Sequence, residues 1–433
     1  MKYKPYDEYK KSGVNLLEQI PKNWQKYSFK ELFTKKEITN LTNEGLLSVY
    51  LDRGVIPYSE GGGLVHKPSE SLEKYQLVDI NDFVMNNQQA WRGSVGISNY
   101  RGIVSPAYLV FSTDKEKADP SYLKYLLKDN ISVSQFSLSS LSVGTIQRQV
   151  KWHLLRNISL FLPSLDDQLK ISKFLDKEIL KIDNLISKQK QLIQLLEEQR
   201  KAVILQAITK GLNLDLSMKQ SGIDWIGAMP KKWQLKRLKQ IANVVLGKMI
   251  CNENQGDMLL KPYLKSKNIQ WLNVNLNSVD EMWFSAKELD MYKLHKDDLI
   301  LSEGGEVGKT CIWNNELDEC YIQNSAHKVT LCEGYNAHYY LYFFYSMGHL
   351  GQFDRVINKV SIAHLTKEKL LNIPVLIPSI DEQNQIVDFI ESENIKINNL
   401  INQQSKLIEK LKEYRTSIIS HAVTGKIDVR EAL

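Results

Sequence analysis

The chain contains two copies of one sequence pattern, and the second copy begins about halfway along it. Residues 12–24 read SGVNLLEQIPKNW and residues 221–233 read SGIDWIGAMPKKW, so serine, glycine, proline and tryptophan recur at an offset of 209. Further along, LPSLDDQ at 162–168 recurs as IPSIDEQ at 377–383, at an offset of 215. Such a duplication predicts two copies of one domain related by a pseudo-two-fold axis, which suits a ligand with two separated sites.

The composition is that of an ordinary globular protein. Of 433 residues, 43% are hydrophobic and 24% are charged, enough apolar material for about two to four domains with cores of their own. The apolar runs are shorter than the roughly 18–20 residues that a membrane helix requires. The first 13 residues also lack the apolar core of a secretory signal, and we therefore expect a cytoplasmic protein.

The cysteines and the charges narrow the function further. The four cysteines all lie in the second copy, at Cys251, Cys311, Cys320 and Cys332. No CxxC pair occurs, so we expect reduced thiols rather than a disulfide framework or a structural metal site. Residues 1–160 carry 21 basic and 16 acidic side chains, and residues 216–375 carry 19 and 17. The excess positive charge lies in these parts and favours a polyanionic ligand.

Each copy consists of a globular part and a helical part. Short β-type runs such as LLSVYLD and GIVSPAYLVF predict a strand-rich globular fold, with one helix after Asp119. The helical parts begin at the N-cap serines Ser164 and Ser379 and end near Gly211 and Gly425. In each, a short amphipathic helix is predicted before a longer one of about 28 residues, roughly 40 Å. The predicted segments are 1–160 and 216–375 (globular) and 161–215 and 376–433 (helical spacers).

Along the longer helices, apolar residues recur at alternating steps of three and four, which is typical of a coiled-coil seam. We expect the two helices to pair, and a two-fold axis would make the pair antiparallel; the alternative is that each helix packs on its own globular part. Gln189 and Gln404 occupy matching seam positions, where they could fix the register or lie at a solvated edge. The predicted seam and partner-binding residues are Ile182, Leu185, Leu192 and Leu196, and Ile397, Leu400, Leu407 and Leu411.

No catalytic constellation is present in the sequence. EGGEVGKT at 303–310 is similar to a phosphate-binding loop but has Glu303 where that pattern requires glycine. The chain has no Pro-Pro pair, and therefore no [ND]PP[YF] adenine-methyltransferase motif, and it has no HExxH, GxSxG or GxGxxG. These absences favour a binding protein over an enzyme.

The segment NDFVMNNQQAWRGSVGISNYRGIVSPAYLVF at 81–111, the LPS-x-D-[DE]-Q openings and the two Gly…Pro-x-x-Trp segments resemble the specificity subunits of type I restriction–modification enzymes. The resemblance runs in the same order along nearly the whole chain. It implies an α+β fold with two target-recognition domains, each reading half of a bipartite DNA site, and an antiparallel coiled coil between them. The subunit would be non-catalytic and would serve phage defence.

The same resemblance implies partners and a cofactor outside this chain. Two methylation subunits would dock on the helices of one specificity subunit to give a methyltransferase complex, and motor-nuclease subunits would complete the R2M2S assembly. S-adenosylmethionine would bind the methylation subunit rather than this chain. The other interpretations are an enzyme with its own site, and a scaffold protein that joins two protein-binding domains through a coiled coil without binding DNA.

The two copies differ where base contacts are expected: NNQQAWRGSVG in the first corresponds to SEGGEVGKT in the second. Asn and Gln suit adenine, Arg and Lys suit guanine, and acids suit cytosine, whereas Lys, Arg and Ser suit phosphates. The same residues could equally be turn-formers, and Trp91 could belong to the core. The DNA-binding candidates are Arg53, Tyr58, Ser59, Asn86, Asn87, Gln88, Gln89, Trp91 and Arg92 in the first copy, and Lys265, Lys267, Asn268, Ser302, Glu303, Lys309, Gln323 and Asn324 in the second.

Overall fold

The computed structural model describes residues 3–61, 67–143, 147–213, 215–357 and 364–432. It divides into two compact units. Unit 1 consists of Met1–Gln189 and Lys406–Leu433, and unit 2 consists of Lys190–Ser405. Each unit contains one globular part and a portion of both helical parts, so the units cut across the four consecutive segments drawn from the sequence.

Each helical part is one uninterrupted helix. The first long helix spans Leu165–Lys210 with 46 residues, and the second spans Ile380–Val423 with 44. Neither segment contains proline or glycine, so nothing separates the short helix from the longer one predicted after it. At 1.5 Å per residue each helix is about 66–69 Å long, well over the length predicted for the longer helix alone.

Both ends of the long helices lie where the sequence predicted them. The Ser164 hydroxyl accepts a hydrogen bond from a first-turn backbone N–H at 3.2 Å. Ser379 accepts from the Glu382 N–H at 3.3 Å, and the Glu382 carboxylate accepts from the Ser379 N–H at 3.1 Å. Gly211 and Gly425, which follow the helices, have left-handed φ angles of 74° and 72°. These N-cap serines and terminal glycines satisfy backbone groups that a helix end leaves unpaired.

The two repeated tryptophans pack against those glycines. Trp24 and Trp233 are fully buried. A Cβ atom at Gly425 would lie 3.3 Å from the Trp24 ring, and a Cβ atom at Gly211 would lie 3.2 Å from the Trp233 ring. The recurrence of tryptophan therefore has a structural cause: in each unit it seats the end of one long helix on the globular part.

In unit 1 the two helical parts pack antiparallel. Asp183 of the first long helix pairs with Arg415 of the second, with Oδ1 and Nε 3.0 Å apart. Asp167, sixteen residues earlier, pairs at 3.5 Å with Arg430, which follows the second helix. A step back along the first helix thus corresponds to a step forward along the second.

The same arrangement occurs in unit 2. The Arg200 guanidinium donates to Oδ1 of Asn398. Beyond Arg200, the first helix ends at Lys210, and Gly211 after it packs against the Trp233 ring. The Trp233 indole N–H donates at 3.3 Å to the carboxylate of Glu382, near the start of the second helix. The predicted antiparallel pairing is therefore present in each unit.

The buried seam differs from the predicted one at four leucines. Ile182, Leu196 and Ile397 are 3–7% exposed, and Leu411 is half-buried, as predicted. The buried or half-buried seam positions of the first helix are 182, 186, 189, 193 and 196, which alternate steps of four and three residues. Ile186 and Ile193 therefore lie in the seam in place of the leucines that precede them. Gln189 and Gln404 are half-buried at this seam. The leucines that lie outside it, 40–44% exposed, are Leu185, Leu192, Leu400 and Leu407.

The centre of unit 1 is a four-stranded antiparallel sheet. Its strands lie in the order Phe33–Lys36, Tyr108–Thr113, Phe83–Asn86 and Val95–Ile97. The predicted helix after Asp119 spans Pro120–Leu126, and the Asp119 carboxylate caps it by accepting from the Ser121 N–H at 2.9 Å. The paired strands around the sheet are Tyr9–Val14 with Leu17–Pro21, Gln25–Ser28 with Ser159–Leu162, Leu47–Tyr50 with Gly54–Pro57, Gln76–Val78 with Gly102–Val104, and Ser140–Val143 with Gln147–Val150. The remaining short helices are Phe29–Leu32, Asn130–Leu138 and Trp152–Leu155, with 3₁₀ turns at Tyr58–Glu60 and Ala90–Arg92.

Unit 2 contains the same sheet with the same strand order: Ala242–Leu246, Ala326–Leu331, Leu299–Ser302 and Thr310–Ile312. It adds a second sheet of Asp280–Ser285, Met258–Leu264 and Tyr321–Ile322. The other strands pair as Met218–Gln220 with Ala228–Pro230, Gln234–Arg237 with Pro374–Ile377, and Ile269–Gln270 with Asn273–Val274. The short helices are Ala286–Tyr292, Ala337–His349, Gln352–Val356 and Lys367–Leu371, with 3₁₀ turns at Leu238–Gln240 and Ser266–Asn268.

The fold is therefore α+β, with a repeated strand-rich domain and two long paired helices. Within the described ranges, no helix is both long and apolar enough to cross a membrane.

Candidate nucleic-acid interface

In unit 1, the predicted run Asn86–Arg92 lies at the turn of the hairpin between strands Phe83–Asn86 and Val95–Ile97. The side-chain oxygens of Asn86 and Asn87 accept hydrogen bonds from backbone N–H groups of the protein. Oδ1 of Asn86 accepts from the Gln88 N–H at 3.0 Å, and Oδ1 of Asn87 accepts from the Val150 N–H at 2.9 Å. The second bond ties the turn to the strand that ends at Val150, so these two asparagines shape the loop. Gln88 and Gln89 are half-buried beside them.

Trp91 is the centre of a cationic cluster at this turn. It is half-buried rather than in the core, and its indole N–H donates to the Gln88 carbonyl at 3.0 Å. The Arg92 guanidinium lies 4.9 Å from the centre of the indole ring, and the Arg148 guanidinium lies 5.6 Å from it. Arg148 was missed by the sequence analysis. Only its position between two glutamines on a short strand could have drawn attention to it.

Arg53, Tyr58 and Ser59 belong to a neighbouring hairpin, Leu47–Tyr50 with Gly54–Pro57. The Arg53 guanidinium lies 4.6 Å from the Tyr50 ring centre and donates to the Glu60 carbonyl at 3.0 Å. Arg53 and Ser59 are exposed, and Tyr58 is half-buried. A hydrogen bond from the Ser94 hydroxyl to the Val49 carbonyl, 3.2 Å long, joins this hairpin to the end of the Trp91 turn. The structure thus brings the candidates of unit 1 together on adjoining hairpins.

In unit 2, the corresponding turn is residues 303–309, between Leu299–Ser302 and Thr310–Ile312. Two predicted readers here are structural. Ser302 is fully buried, and its hydroxyl donates to the Gly304 carbonyl at 2.7 Å and lies 2.7 Å from the Ser266 hydroxyl. Asn268, also buried, uses its carboxamide to hold the turn that it begins, donating to the carbonyls of residues 275 and 278 at 2.9 Å. Neither side chain is exposed to a base, so both are removed from the candidate set.

The lysines of unit 2 are already paired with carboxylates. Lys265 forms an ion pair with Asp280, and Lys267 lies 3.6 Å from the same carboxylate. The hydrogen bond from Lys265 lowers the pKa of Asp280 below its ordinary value and raises that of Lys265, so both stay charged at neutral pH. Lys309 pairs with Glu306. A DNA phosphate would therefore have to displace a carboxylate to reach these lysines.

The remaining candidates of unit 2 form a polar cluster beside the 303–309 turn. Oε1 of Gln323 accepts from the N–H and hydroxyl of Ser325 at 3.1 and 2.6 Å, and Asn324 adjoins it. Ser325 in turn accepts from the Ser266 N–H at 2.9 Å. Glu303 lies 3.6 Å from His364. Ser325 and His364 were not predicted, because each reaches the cluster from a different strand connection.

The two interfaces consequently differ in charge. Arg53, Arg92 and Arg148 have no carboxylate partner among the described residues of unit 1, whereas the candidate lysines of unit 2 are paired with acids. Free guanidinium groups suit guanine and phosphate, and carboxylates suit the amino group of cytosine. The described side chains include no group of three or more His, Cys, Asp or Glu that could hold a metal ion.

The comparisons with known proteins agree with this geometry. A family model described as the type I restriction modification DNA specificity domain matches residues 21–198 and again residues 230–410. The two matched ranges cover most of the chain, one in each half. The chain therefore belongs to the type I restriction–modification DNA specificity family, and DNA recognition is its function in such a system.

Two relatives from Methanocaldococcus jannaschii align over most of their length. The putative type I restriction enzyme MjaX specificity subunit is 24% identical over 455 aligned residues, covering 98% of this chain and 97% of the relative. The type I restriction enzyme MjaVIII specificity subunit is 23% identical over 378 residues, covering 85% and 84%.

Solved structures share the fold. The HsdS subunit from Thermoanaerobacter tengcongensis has a TM-score of 0.58 at 16% identity and covers 94% of this chain and 98% of its own. A chain from a structure that addresses complex assembly and conformational transition of the type I R-M system has a TM-score of 0.65 at 17% identity, covering 94% and 99%. The scaffold alternative, in which the chain joins two proteins without binding DNA, has no support among these relatives.

Proposed function

We propose that this chain reads an asymmetric bipartite DNA site, with one half-site bound by each unit. The observation that carries the proposal is the repeated four-stranded sheet. Both units use the same strand order and place a hairpin turn at the same strand end, residues 87–94 in unit 1 and 303–309 in unit 2. Equal frames with different turn residues are what two different half-sites require, because the frame sets position and the turn sets base contacts.

Methyl transfer and DNA cleavage, in this proposal, belong to partner subunits. The sequence lacks the [ND]PP[YF] motif that an independent adenine methyltransferase would carry. S-adenosylmethionine would bind in a methylation subunit, and the complex would act on DNA in the cytoplasm. An isolated preparation of this chain should neither methylate nor cut DNA, and methyl transfer by the chain alone would refute this division of labour.

The long helices supply a surface for those partners. Their outward leucines, Leu185 and Leu192 on the first helix and Leu400 and Leu407 on the second, remain 40–44% exposed, whereas seam isoleucines such as Ile182 and Ile397 are buried. Exposed apolar side chains at regular spacing are typical of a protein–protein contact. Because the set occurs once on each helix, we propose two equivalent docking faces, one for each of two methylation subunits, in a complex that motor-nuclease subunits extend to R2M2S.

The test is to express the chain with its methylation subunits in cells that lack other adenine methylation, and to map the modified sites. A bipartite motif is expected. Residues 25–160 are then replaced by the matching part of a related specificity subunit, which should change one half of the motif and leave the other half intact. A change in both halves, or in neither, would refute one-unit-per-half-site reading.

A further inference from the structure

Side-chain contacts, in addition to the backbone pairing of its strand, hold Arg148 beside the Trp91 turn. Arg148 lies on strand Gln147–Val150, and a neighbouring residue of that strand, Val150, donates its N–H to the Asn87 side chain at 2.9 Å. The Arg148 guanidinium donates to the Ser137 hydroxyl at 3.0 Å and lies over the Trp91 ring. The position of Arg148 relative to Trp91 is thus set from both sides.

Trp91 itself is fixed, because its indole N–H is bonded to the Gln88 carbonyl within the same turn. Its ring carries a second cation, Arg92, 4.9 Å from the ring centre. Neither arginine forms an ion pair in the part of unit 1 that the structure describes. Other arginines of unit 1 do: Arg101 contacts Glu44, and Arg430 contacts Asp428. The two guanidinium groups on the Trp91 indole therefore form a local cluster of positive charge without a neighbouring carboxylate.

Stacking on an aromatic ring occupies the face of a guanidinium and leaves its in-plane N–H donors available. A planar, pre-oriented fork of two N–H groups matches O6 and N7 of guanine in the major groove. Holding the side chain before DNA arrives also reduces the entropy lost on binding. Resting on the proposed function, we infer that Trp91, Arg92 and Arg148 form a guanine-reading element in unit 1, in which Arg148 determines specificity.

The element has a limited reach and occurs in one copy. The distances of 4.9 and 5.6 Å to the ring centre place the two guanidinium groups at most 10.5 Å apart. That span is about three base-pair steps at 3.4 Å, so both arginines serve a single half-site. In the second copy, the offset of 215 places Ala363, outside the described residues, opposite Arg148, and the turn sequence SEGGEVGKT has no tryptophan. A guanine preference that depends on this element is accordingly expected only in the half-site read by unit 1.

The experiment uses the complex with its methylation subunits and the half-site assigned to unit 1 by the domain exchange. Arg148→Ala should reduce the preference for guanine over the other bases at one position of that half-site by roughly 5- to 150-fold. Arg148→Lys keeps the charge but replaces the planar fork by a flexible ammonium, so overall DNA affinity should recover and guanine discrimination should recover only in part. Arg156→Ala removes the same charge from an exposed arginine outside the Trp91 cluster, and should leave the motif unchanged.

Trp91→Phe keeps a ring for the two arginines and Trp91→Leu does not, so discrimination should survive the first change better than the second. The inference is overturned if the unit 1 half-site contains no G·C pair. It is also overturned if Arg148→Ala weakens binding equally at all sequences with a shallower salt dependence, which is the signature of a phosphate contact. A wild-type complex that modifies no bipartite motif would refute the proposed function itself, and with it the basis of this inference.

Discussion

The glutamine that closes the LPS-x-D-[DE]-Q motif joins each long helix to its globular part. Gln168 is fully buried and makes three hydrogen bonds with backbone groups. Its Oε1 accepts from the Asp119 N–H at 2.8 Å, and its Nε2 donates to the carbonyls of Lys117 and Pro163 at 3.0 Å. In unit 2, Gln383 is buried too and accepts from the Asn336 N–H at 2.9 Å. Among the described residues it donates to one carbonyl, that of residue 378, at 3.0 Å.

Replacing this glutamine by leucine keeps the side-chain size and removes every one of these bonds. A net loss of about 1 kcal/mol per hydrogen bond predicts that Gln168→Leu destabilises unit 1 by about 3 kcal/mol. The same substitution at Gln383 should destabilise unit 2 by about 2 kcal/mol, because one carbonyl fewer loses its partner. The order of the two effects follows from the hydrogen-bond count and does not depend on the energy assigned to each bond.

Native-state hydrogen exchange measures these effects unit by unit, which matters because a two-unit chain need not unfold in one step. Exchange of the helix Pro120–Leu126 should accelerate by about 150-fold in Gln168→Leu, and exchange of Ala337–His349 by about 30-fold in Gln383→Leu. Gln199→Leu, at an exposed position of the first helix, is the matched control and should leave both rates unchanged. The reasoning fails if Gln168→Leu exchanges like this control, or if Gln383→Leu is the more destabilised variant.

Three further predictions concern spacing, DNA contact and pH. Deleting residues 189–195 together with 404–410 preserves the heptad register of both helices and shortens each helix by about 10 Å. The non-specific spacer of the modified motif should then lose about three base pairs, or DNA binding should be lost. An unchanged spacer would show that the helices do not set its length. Arg92→Ala should weaken DNA binding in a titration at two salt concentrations. If Arg92 reads a base, the binding free energy should fall by about 1–3 kcal/mol at one base pair only. An equal loss at all sequences with a shallower salt dependence would make Arg92 a phosphate contact. Burial lowers the pKa of His327 below its unfolded value near 6.5, so the unfolded chain takes up the proton first and unit 2 should lose stability as the pH falls from 7 to 5. Hydrogen exchange of unit 2 at pH 7 and pH 5 would test this, and the loss should be smaller in His327→Gln. An unchanged pH dependence in that variant would contradict the role of His327.

Much of the organisation of this protein is readable from the sequence because it depends on residues that are near one another in the chain. The N-cap serines Ser164 and Ser379 and the terminal glycines Gly211 and Gly425 act on the adjacent helix turn, and the structure places the helix ends there. The duplication is equally visible, since both copies must supply the same frame. Similarity to specificity subunits follows from the same local motifs and their order.

The tertiary structure decided which of two possible seams pairs the helices. Leu185 and Ile186 are both apolar and adjacent, so the periodicity alone allows a seam through either of them. In the folded chain Leu185 is 44% exposed and Ile186 is half-buried, because the contact partner across the seam selects one face. Four of the six leucines assigned to the coil from the sequence are consequently available on its outer surface, whereas Leu196 and Leu411 lie in the seam.

The contents of the interfaces also required the fold. Ser302 and Asn268 are of residue types that often contact DNA, but both are buried and hydrogen-bonded within turns. Arg148 contacts Trp91 although it lies 57 positions further along the chain. Polar side chains in turns look alike in a sequence whether they face solvent or satisfy buried backbone groups. The difference depends on which strands meet around the turn, and that is set by long-range packing rather than by the neighbours of each residue in the chain.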